Sequence, residues 1–300
     1  MRSFVAAAVQ VAPEPGPVDQ ALVKANCLKA AEAVERCVAE TGAELVVLPE
    51  SGSTGYATGL GPDELWDVVS AIPGPVTDPL AEVAARLGVH VVWGTYERGA
   101  ERGVVHNSSA LLGPRGDVLG VYRKTHLYVL ERAWATPGDW VTVVDTELGR
   151  IGMVICFDGD YPELCRIQAV RGAEVIARPS AFLRSADIWD LTTRARAYDN
   201  HVYVVAANAV GADAGGSLYF GNSMIAGPTA AVLGRATSQE GWVSARLDPD
   251  PLRRISPGSS VPQIFDHLAD RNVALYARYR ADLEAPARAA FPHADHRTGA

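Results

Sequence analysis

Two nonapeptides far apart in the chain, Gly42-Ala-Glu-Leu-Val-Val-Leu-Pro-Glu50 and Gly172-Ala-Glu-Val-Ile-Ala-Arg-Pro-Ser180, open on the same Gly-Ala-Glu and share a late proline. Each follows a stretch with helical spacing and precedes a loop, a helix and another apolar strand. The first reads as a strand nearly apolar throughout, of the kind buried on both faces in a parallel sheet. The echo implies two similar halves about one axis, with loops at equivalent strand ends forming a common site. A chance match between Gly- and Ala-containing segments is the alternative.

The rest of the chain alternates in the same way. Strands are expected over Phe4–Val11, Glu44–Glu50, Val89–Glu97, Val141–Asp145, Ile151–Cys156, Glu174–Ala177, Val202–Ala207 and Trp242–Leu247. Hairpins are expected at Asn107–Leu112 with Val118–Tyr122, turning on Gly113-Pro-Arg-Gly116, and at Ser223–Ala226 with Ala231–Arg235. Helices are expected over Val18–Thr41, where apolar residues recur at helical spacing and Gly42 stops the run, and over Asp78–Leu87, Glu163–Arg171 and Ile188–Tyr198. Ser51–Gly61 reads as loop. Beyond Pro251 the chain turns polar and proline-rich, with one helix around His267–Arg280 and a final tail. Helices interleaved with two sets of strands imply a layered α/β sandwich, sheets in the middle and helices outside.

Composition narrows the function classes. A net charge of −8 without a long basic run argues against a nucleic-acid partner. No apolar run approaches the roughly 20 residues that span a bilayer. The opening Phe4–Val9 stretch is too short, and too poor in cleavage signal, for a secretory leader. Four cysteines in 300 residues (Cys27, Cys37, Cys156, Cys165) make no disulfide framework, so a cytoplasmic setting is expected. On that basis Asn107-Ser-Ser109 matches the glycosylation pattern by accident. His293-x-x-His296 lies in a Pro/Ala tail and makes a poor metal site, and no Gly-x-Gly-x-x-Gly follows a strand to hold a dinucleotide.

The chemistry is expected in Arg150–Glu163. An apolar strand ends on Cys156, turns through Asp158-Gly159-Asp160 and restarts as a helix at Pro162, with Asp160-x-x-Glu163 reading as a capping box. A thiol between a strand end and a helix start lies near free backbone N–H groups that stabilise a thiolate or an oxyanion; a buried core cysteine is the plainer alternative. Glu50 and Lys124 also end strands. Together the three would form a nucleophilic site: the carboxylate takes the thiol proton and the ammonium steadies negative charge.

Leu48-Pro-Glu50, Tyr122-Arg-Lys124-Thr-His-Leu127 and Cys156-Phe-Asp-Gly-Asp-Tyr-Pro-Glu163, in that order, resemble the signature blocks of the nitrilase superfamily of carbon–nitrogen hydrolases. The resemblance spans roughly residues 4 to 250. It implies a hydrolase domain over 1–250 and a C-terminal extension over 251–300 that serves subunit contacts and ends in a mobile tail. It implies a four-layer α-β-β-α sandwich of two mixed sheets, a Glu-Lys-Cys triad needing neither metal nor cofactor, and homodimers or larger homo-oligomers formed across helix faces. Carried over, Glu50 is the general base, Lys124 the oxyanion-stabilising cation and Cys156 the nucleophile, and the Phe157 backbone N–H completes the oxyanion hole. Glu131 is the second glutamate, positioning Lys124 or the substrate amide; an exposed loop carboxylate is its alternative. His267-Leu-Ala-Asp-Arg271 resembles an element used in subunit contacts.

Phe157-Asp158-Gly159 after the cysteine, in place of Trp-Glu-Asn, looks like the amidase and carbamoylase branches. A small linear amide is the expected substrate, followed by N-carbamoyl compounds and then nitriles; an inactive scaffold of the same fold is the non-enzyme alternative. Tyr56, Trp134, Phe182 and Trp189 are candidate pocket walls, and Asp158 a candidate substrate contact. For a substrate carboxylate the candidate cations are Arg178, Arg184 and Arg194, although Arg194 and Arg196 are expected to pair with acids on a helix surface.

Overall fold

The computed structural model describes residues 1–249 and 266–285. Strands β1 (Phe4–Gln10), β2 (Leu45–Val47), β3 (His90–Arg98), β4 (Val105–Leu112), β5 (Val118–Arg123) and β14 (Gly241–Leu247) form one six-stranded sheet in the order β14-β1-β2-β3-β4-β5. Strands β6 (Val143–Thr146), β7 (Gly149–Met153), β8 (Val175–Ser180), β9 (Tyr203–Asn208), β12 (Met224–Ala226) and β13 (Val232–Arg235) form the second, in the order β13-β12-β9-β8-β7-β6. A small hairpin joins β10 (Val210–Ala212) to β11 (Leu218–Phe220).

The two sheets repeat one pattern. In the first, β1, β2 and β3 run parallel, flanked by antiparallel β14 on one side and β4 and β5 on the other. In the second, β7, β8 and β9 run parallel, flanked by antiparallel β6 and then by β12 and β13. The echoed nonapeptides supply β2 and β8, the middle parallel strand of each half. Their ends meet: the Glu50 N–H donates to the Ser180 carbonyl at 3.4 Å, joining equivalent positions of the two repeats.

Alternation along the strands sorts side chains into layers. Ala6, Ala8, Leu45, Val47 and Val92 face the second sheet, packing with Ile151, Met153, Val175 and Ala177. Ala7, Val9, Val46 and Val91 face the opposite way, onto helices α1 (Gln20–Thr41) and α3 (Asp78–Leu87). Helices α4 (Pro162–Val170) and α5 (Ala186–Asn200) cover the second sheet through residues such as Cys165, Ala169, Trp189 and Ala197. The result is the four-layer α-β-β-α sandwich. Helix α1 begins where the Asp19 carboxylate accepts the Leu22 N–H and ends on Gly42 in the left-handed region, as its sequence predicts.

Several boundaries differ from the sequence expectation for identifiable reasons. The strand expected over Glu44–Glu50 is assigned at Leu45–Val47, with Glu44 and Leu48 still bonded to the neighbouring strands on either side; it goes no further because Pro49 has no N–H to give and Glu50 turns toward the other sheet. Helix α2 (Pro62–Val68) falls in a stretch left unassigned; with only Leu65 buried, it carries almost no apolar periodicity. In place of one helix around His267–Arg280, a turn over 267–270 precedes α6 (Val273–Arg278), capped by Asn272, and α7 (Arg280–Glu284). His267 packs against Tyr198 and His201 at the end of α5, with ring centroids 4.8 and 4.2 Å apart. His293 and His296 lie outside the described residues, as does most of the 251–300 segment.

Candidate active site

Glu50 sits where the two halves touch. Its backbone crosses β3 at Gly94, where a Cβ would stand 2.5 Å from the Pro49 carbonyl oxygen and 2.8 Å from the Glu50 Cα, so only glycine admits this approach. The carboxylate is buried and hemmed in by donors. Oε2 accepts the Ala181 N–H at 2.7 Å, while Oε1 accepts Lys124 Nζ at 2.6 Å and Asn107 Nδ2 at 2.7 Å.

Lys124 follows the last residue of β5 and keeps the ladder going by one bond, its N–H donating to the Asn107 carbonyl. Its fully buried ammonium lies between two carboxylates, 2.6 Å from Glu50 Oε1 and 2.6 Å from Glu131 Oε2. Glu131 stands on a 3-10 turn (Val129–Ala133), which buries it completely, where its Oε2 also accepts the Tyr128 N–H at 2.8 Å. An exposed loop carboxylate it is not. Burial disfavours the Lys124 cation, but Glu50 and Glu131 outweigh that and hold its pKa well above the usual lysine range. Burial pushes the Glu131 carboxyl up, Lys124 opposes, and Glu50 adds to the rise.

Asn107 joins the two glutamates. Its amide donates to Glu50 Oε1 at 2.7 Å and to Glu131 Oε1 at 2.5 Å, from a buried position on β4. In the sequence it stands out only as an accidental glycosylation match. The signal was there: His106-Asn-Ser-Ser109 are four polar residues in a row on a strand buried along its whole length. Buried polar runs must find partners, and such partners are often one another or a site.

Cys156 follows β7 with φ at 46°, a left-handed conformation that costs a non-glycine residue about 1–3 kcal/mol. Arg178, at the heart of β8, holds that geometry: its Nε and Nη2 both donate to the Cys156 carbonyl, at 3.1 and 2.8 Å. The guanidinium fits because residue 159 is glycine; a Cβ there would stand 2.3 Å from Arg178 Cζ. Arg178 also donates to the Thr192 and Thr193 hydroxyls, so it props the cysteine turn rather than waiting for a substrate carboxylate. Burial raises the Cys156 thiol pKa and the adjacent Glu50 carboxylate raises it further, with Lys124 and Arg178 opposing.

Above the sulfur opens a narrow cleft walled by Tyr56, Tyr128, Phe157, Phe182 and Arg184, with Cys156 at its base. Of the expected pocket walls, Tyr56 and Phe182 line it. Trp189 is fully buried behind Phe182, its indole N–H donating to the Asn222 carbonyl. Trp134 lies on the other side, tilted against Tyr96 at 4.4 Å between centroids. Asp158 points away from the cleft. Its buried carboxylate accepts from the Tyr122 hydroxyl and the His126 and Ile155 N–H groups, tying the cysteine turn to the end of β5. Nor does Asp160 cap α4, whose N-cap is Tyr161; it pairs with Arg184 instead. Arg194 and Arg196 do pair on the helix surface, with Asp190 and Asp199.

Cys156 thus lines the cleft, and behind it lie the buried Glu50 carboxylate, the Lys124 ammonium and the Glu131 carboxylate, a set suited to nucleophilic attack on a polarised carbon and to proton relay. The carbon–nitrogen hydrolase family model matches residues 5–256. Among curated proteins, a nitrilase of Pyrococcus abyssi is 39% identical over 254 residues, covering 83% of this chain and 92% of that protein. The omega-amidase NIT2 of Homo sapiens is 32% identical over 231 residues, covering 73% and 82%. Among solved structures, an amidase from Nesterenkonia sp. superposes with a TM-score of 0.75 at 26% identity, covering 92% of this chain and 96% of that one. A variant of the amidase from Nesterenkonia sp. AN1, with a TM-score of 0.76, carries the acetamide moiety of fluoroacetamide at its active-site cysteine. With its three sequence blocks, its two-sheet sandwich and these relatives in agreement, the chain belongs to the carbon–nitrogen hydrolase family.

Proposed function

We propose that the chain hydrolyses a small linear amide at Cys156, with Glu50 as general base and acid, Lys124 and the Phe157 N–H as oxyanion donors, and Glu131 as the residue that positions Lys124. The chain is a hydrolase of carbon–nitrogen bonds other than peptide bonds, and its Cys-thioester route is the one its superfamily uses. The observation that carries the residue roles is the ammonium of Lys124 held between Glu50 and Glu131 beside the Cys156 thiol.

The chemistry follows from that arrangement. The amide carbonyl carbon enters the cleft over Cys156. As sulfur attacks, its proton passes to Glu50, so no free thiolate has to accumulate against the high thiol pKa. The tetrahedral oxygen takes hydrogen bonds from Lys124 and the Phe157 N–H; losing one such donor costs about 3–4 kcal/mol of the barrier. Glu50 returns the proton to the departing nitrogen, the C–N bond breaks, and ammonia or amine leaves a thioester on Cys156. Glu50 then takes a proton from water as the hydroxide adds to the thioester carbon, and the C–S bond breaks as Glu50 returns that proton to sulfur, giving the thiol and an acid that ionises to carboxylate.

The cleft over Cys156 is hemmed in by Tyr56, Tyr128, Phe157 and Phe182 and leaves little free space, which supports a short substrate. Ammonia release from a panel of amides, ureido acids and nitriles tests this reading, and brisk nitrile turnover with inert amides sinks it.

The same reading extends to the whole protein. Exposed Ile167 and Val170 on α4, with Leu191 and Tyr198 on α5, support homodimers or larger assemblies across those helices, testable by light scattering. Residues 1–250 would be the hydrolase domain, and the 251–300 extension would serve subunit contacts. Four cysteines without a disulfide fit a cytoplasmic setting. Among the described residues no helix is long and apolar enough to cross a membrane.

A further inference from the structure

At the cleft wall Arg184 lies over two of the aromatic rings beside the sulfur, its guanidinium carbon 4.7 Å from the Phe182 centroid and 5.4 Å from that of Phe157. That is where the tail of a bound amide must pass. An unpaired guanidinium there would select anionic tails, since it presents a planar donor fork to a carboxylate. Arg184 is not unpaired: its Nη2 donates to Asp160 Oδ2. The other carboxylate oxygen of Asp160 stands 3.9 Å from Arg178 Nη2, which donates to the Cys156 carbonyl, and has no hydrogen-bond partner of its own. Asp160 is therefore fixed between two arginines, and Arg184 is the one that faces the cleft.

We propose that Asp160 sets substrate charge preference by masking Arg184, so that the enzyme takes amides with uncharged tails and rejects those ending in a carboxylate. This rests on the amidase reading and specifies it. An incoming carboxylate must displace Asp160 from the guanidinium and then lie beside it, a like-charge contact that opposes binding. An uncharged tail meets a neutral pair and the faces of Phe157 and Phe182. Asp160 ends the 3-10 turn that opens on Cys156, and Arg184 follows β8, which bears Arg178, so the mask is built into the turn that carries the nucleophile.

Two amides of the same shape test it: 4-methylpentanamide, with an uncharged branched end, and succinamate, with a carboxylate in its place. The readout is the ratio of their kcat/KM values, because general damage to the site lowers both together. Wild type should favour 4-methylpentanamide. Asp160→Asn should move the ratio toward succinamate by about tenfold or more, mostly through a lower KM for succinamate, and the double variant Asp160→Asn/Arg184→Ala should lose that gain. Arg184→Ala alone exposes the acid, and should move preference toward 5-aminopentanamide, whose ammonium tail it can pair. An unmoved ratio in both single variants overturns the mask, as does a wild type that already prefers succinamate. Wild-type failure on every amide alongside turnover of nitriles would instead strike the amidase reading beneath it.

Discussion

At the scale of single residues, the site turns on how four sulfurs differ. Cys27, Cys37 and Cys165 are sealed from solvent and burial pushes their thiols up to about 12, 11 and 12. Cys156 is also raised, yet it alone of the four lines the cleft and has the Glu50 carboxylate beside it. Iodoacetamide, itself a small amide, should therefore place one label per folded chain, on Cys156, and a competing substrate should slow it. Peptide mapping that finds the label spread over Cys27 or Cys165 would count against this assignment. Asn107 supports a second expectation. Replacing it with alanine leaves Glu50 and Glu131 each one donor short in a buried site, a loss of about 1–3 kcal/mol. If that loss falls on the transition state, kcat should drop about tenfold to a hundredfold with KM little changed. Steady-state kinetics of Asn107→Ala, with a melting curve to show that the fold persists, checks it.

At the scale of elements, the site depends on how closely β3 and the end of β2 approach. Gly94→Ala puts a methyl group against the Pro49 carbonyl and the Glu50 Cα, so β3 must move away or Glu50 must shift. Overpacking of this kind costs about 1–3 kcal/mol of stability, and here it should also lower kcat, because Glu50 lies in the contact. A variant that melts and turns over like wild type would show the crossing to be looser than drawn. Most strands and the β4–β5 and β12–β13 hairpins were legible in the sequence because they are apolar runs between turn residues, and so was the likeness of β2 and β8 as repeats; the β10–β11 hairpin was not, its strands being three residues long with one buried residue each. Glu50, Lys124 and Cys156 were legible because each ends or closely follows a strand. Helix α2 was not, since a helix burying one leucine leaves no stripe to read. Asp158 and Asp160 were misjudged for a related reason. Sequence spacing shows that carboxylates are close to a cysteine, but only coordinates show that one points back to Tyr122 and the other across to Arg184. Trp134 and Trp189 illustrate the same limit: nothing in a sequence says on which side of a wall an aromatic ring lies.

At the scale of the whole molecule, buried histidines should link folding to pH. His90 on β3, His106 on β4 and His201 after α5 all titrate below the usual 6.5, with burial as the main cause in each. Glu147 opposes the shift at His90, and the Thr136 carbonyl, 2.8 Å from His106 Nδ1, opposes it at His106; at His201 the neighbouring His267 adds to it. The sign follows from proton counting. The unfolded chain takes up protons on these rings near pH 6.5, whereas the folded chain resists until the pH is lower, so below 6.5 the unfolded state binds more protons and stability falls as the solution is acidified. Above that pH the rings are neutral in both states and contribute nothing to the slope. The carboxylates held low by arginines, Glu97 beside Arg123 and Asp190 beside Arg194 and Arg235, act in a separate and more acidic window: burial opposes their ionised forms, the arginines overcome it, and their contribution is lost only as pH falls through their lowered values. Melting temperature at fixed ionic strength should therefore be nearly flat above about pH 7 and decline between about 6.5 and 5. His90→Gln should make that decline shallower, because it removes a ring from the first sheet that accepts a proton only on unfolding. A melting temperature unchanged down to pH 5 in wild type would mean that these imidazoles are hydrated or paired as well in the fold as they are in the open chain.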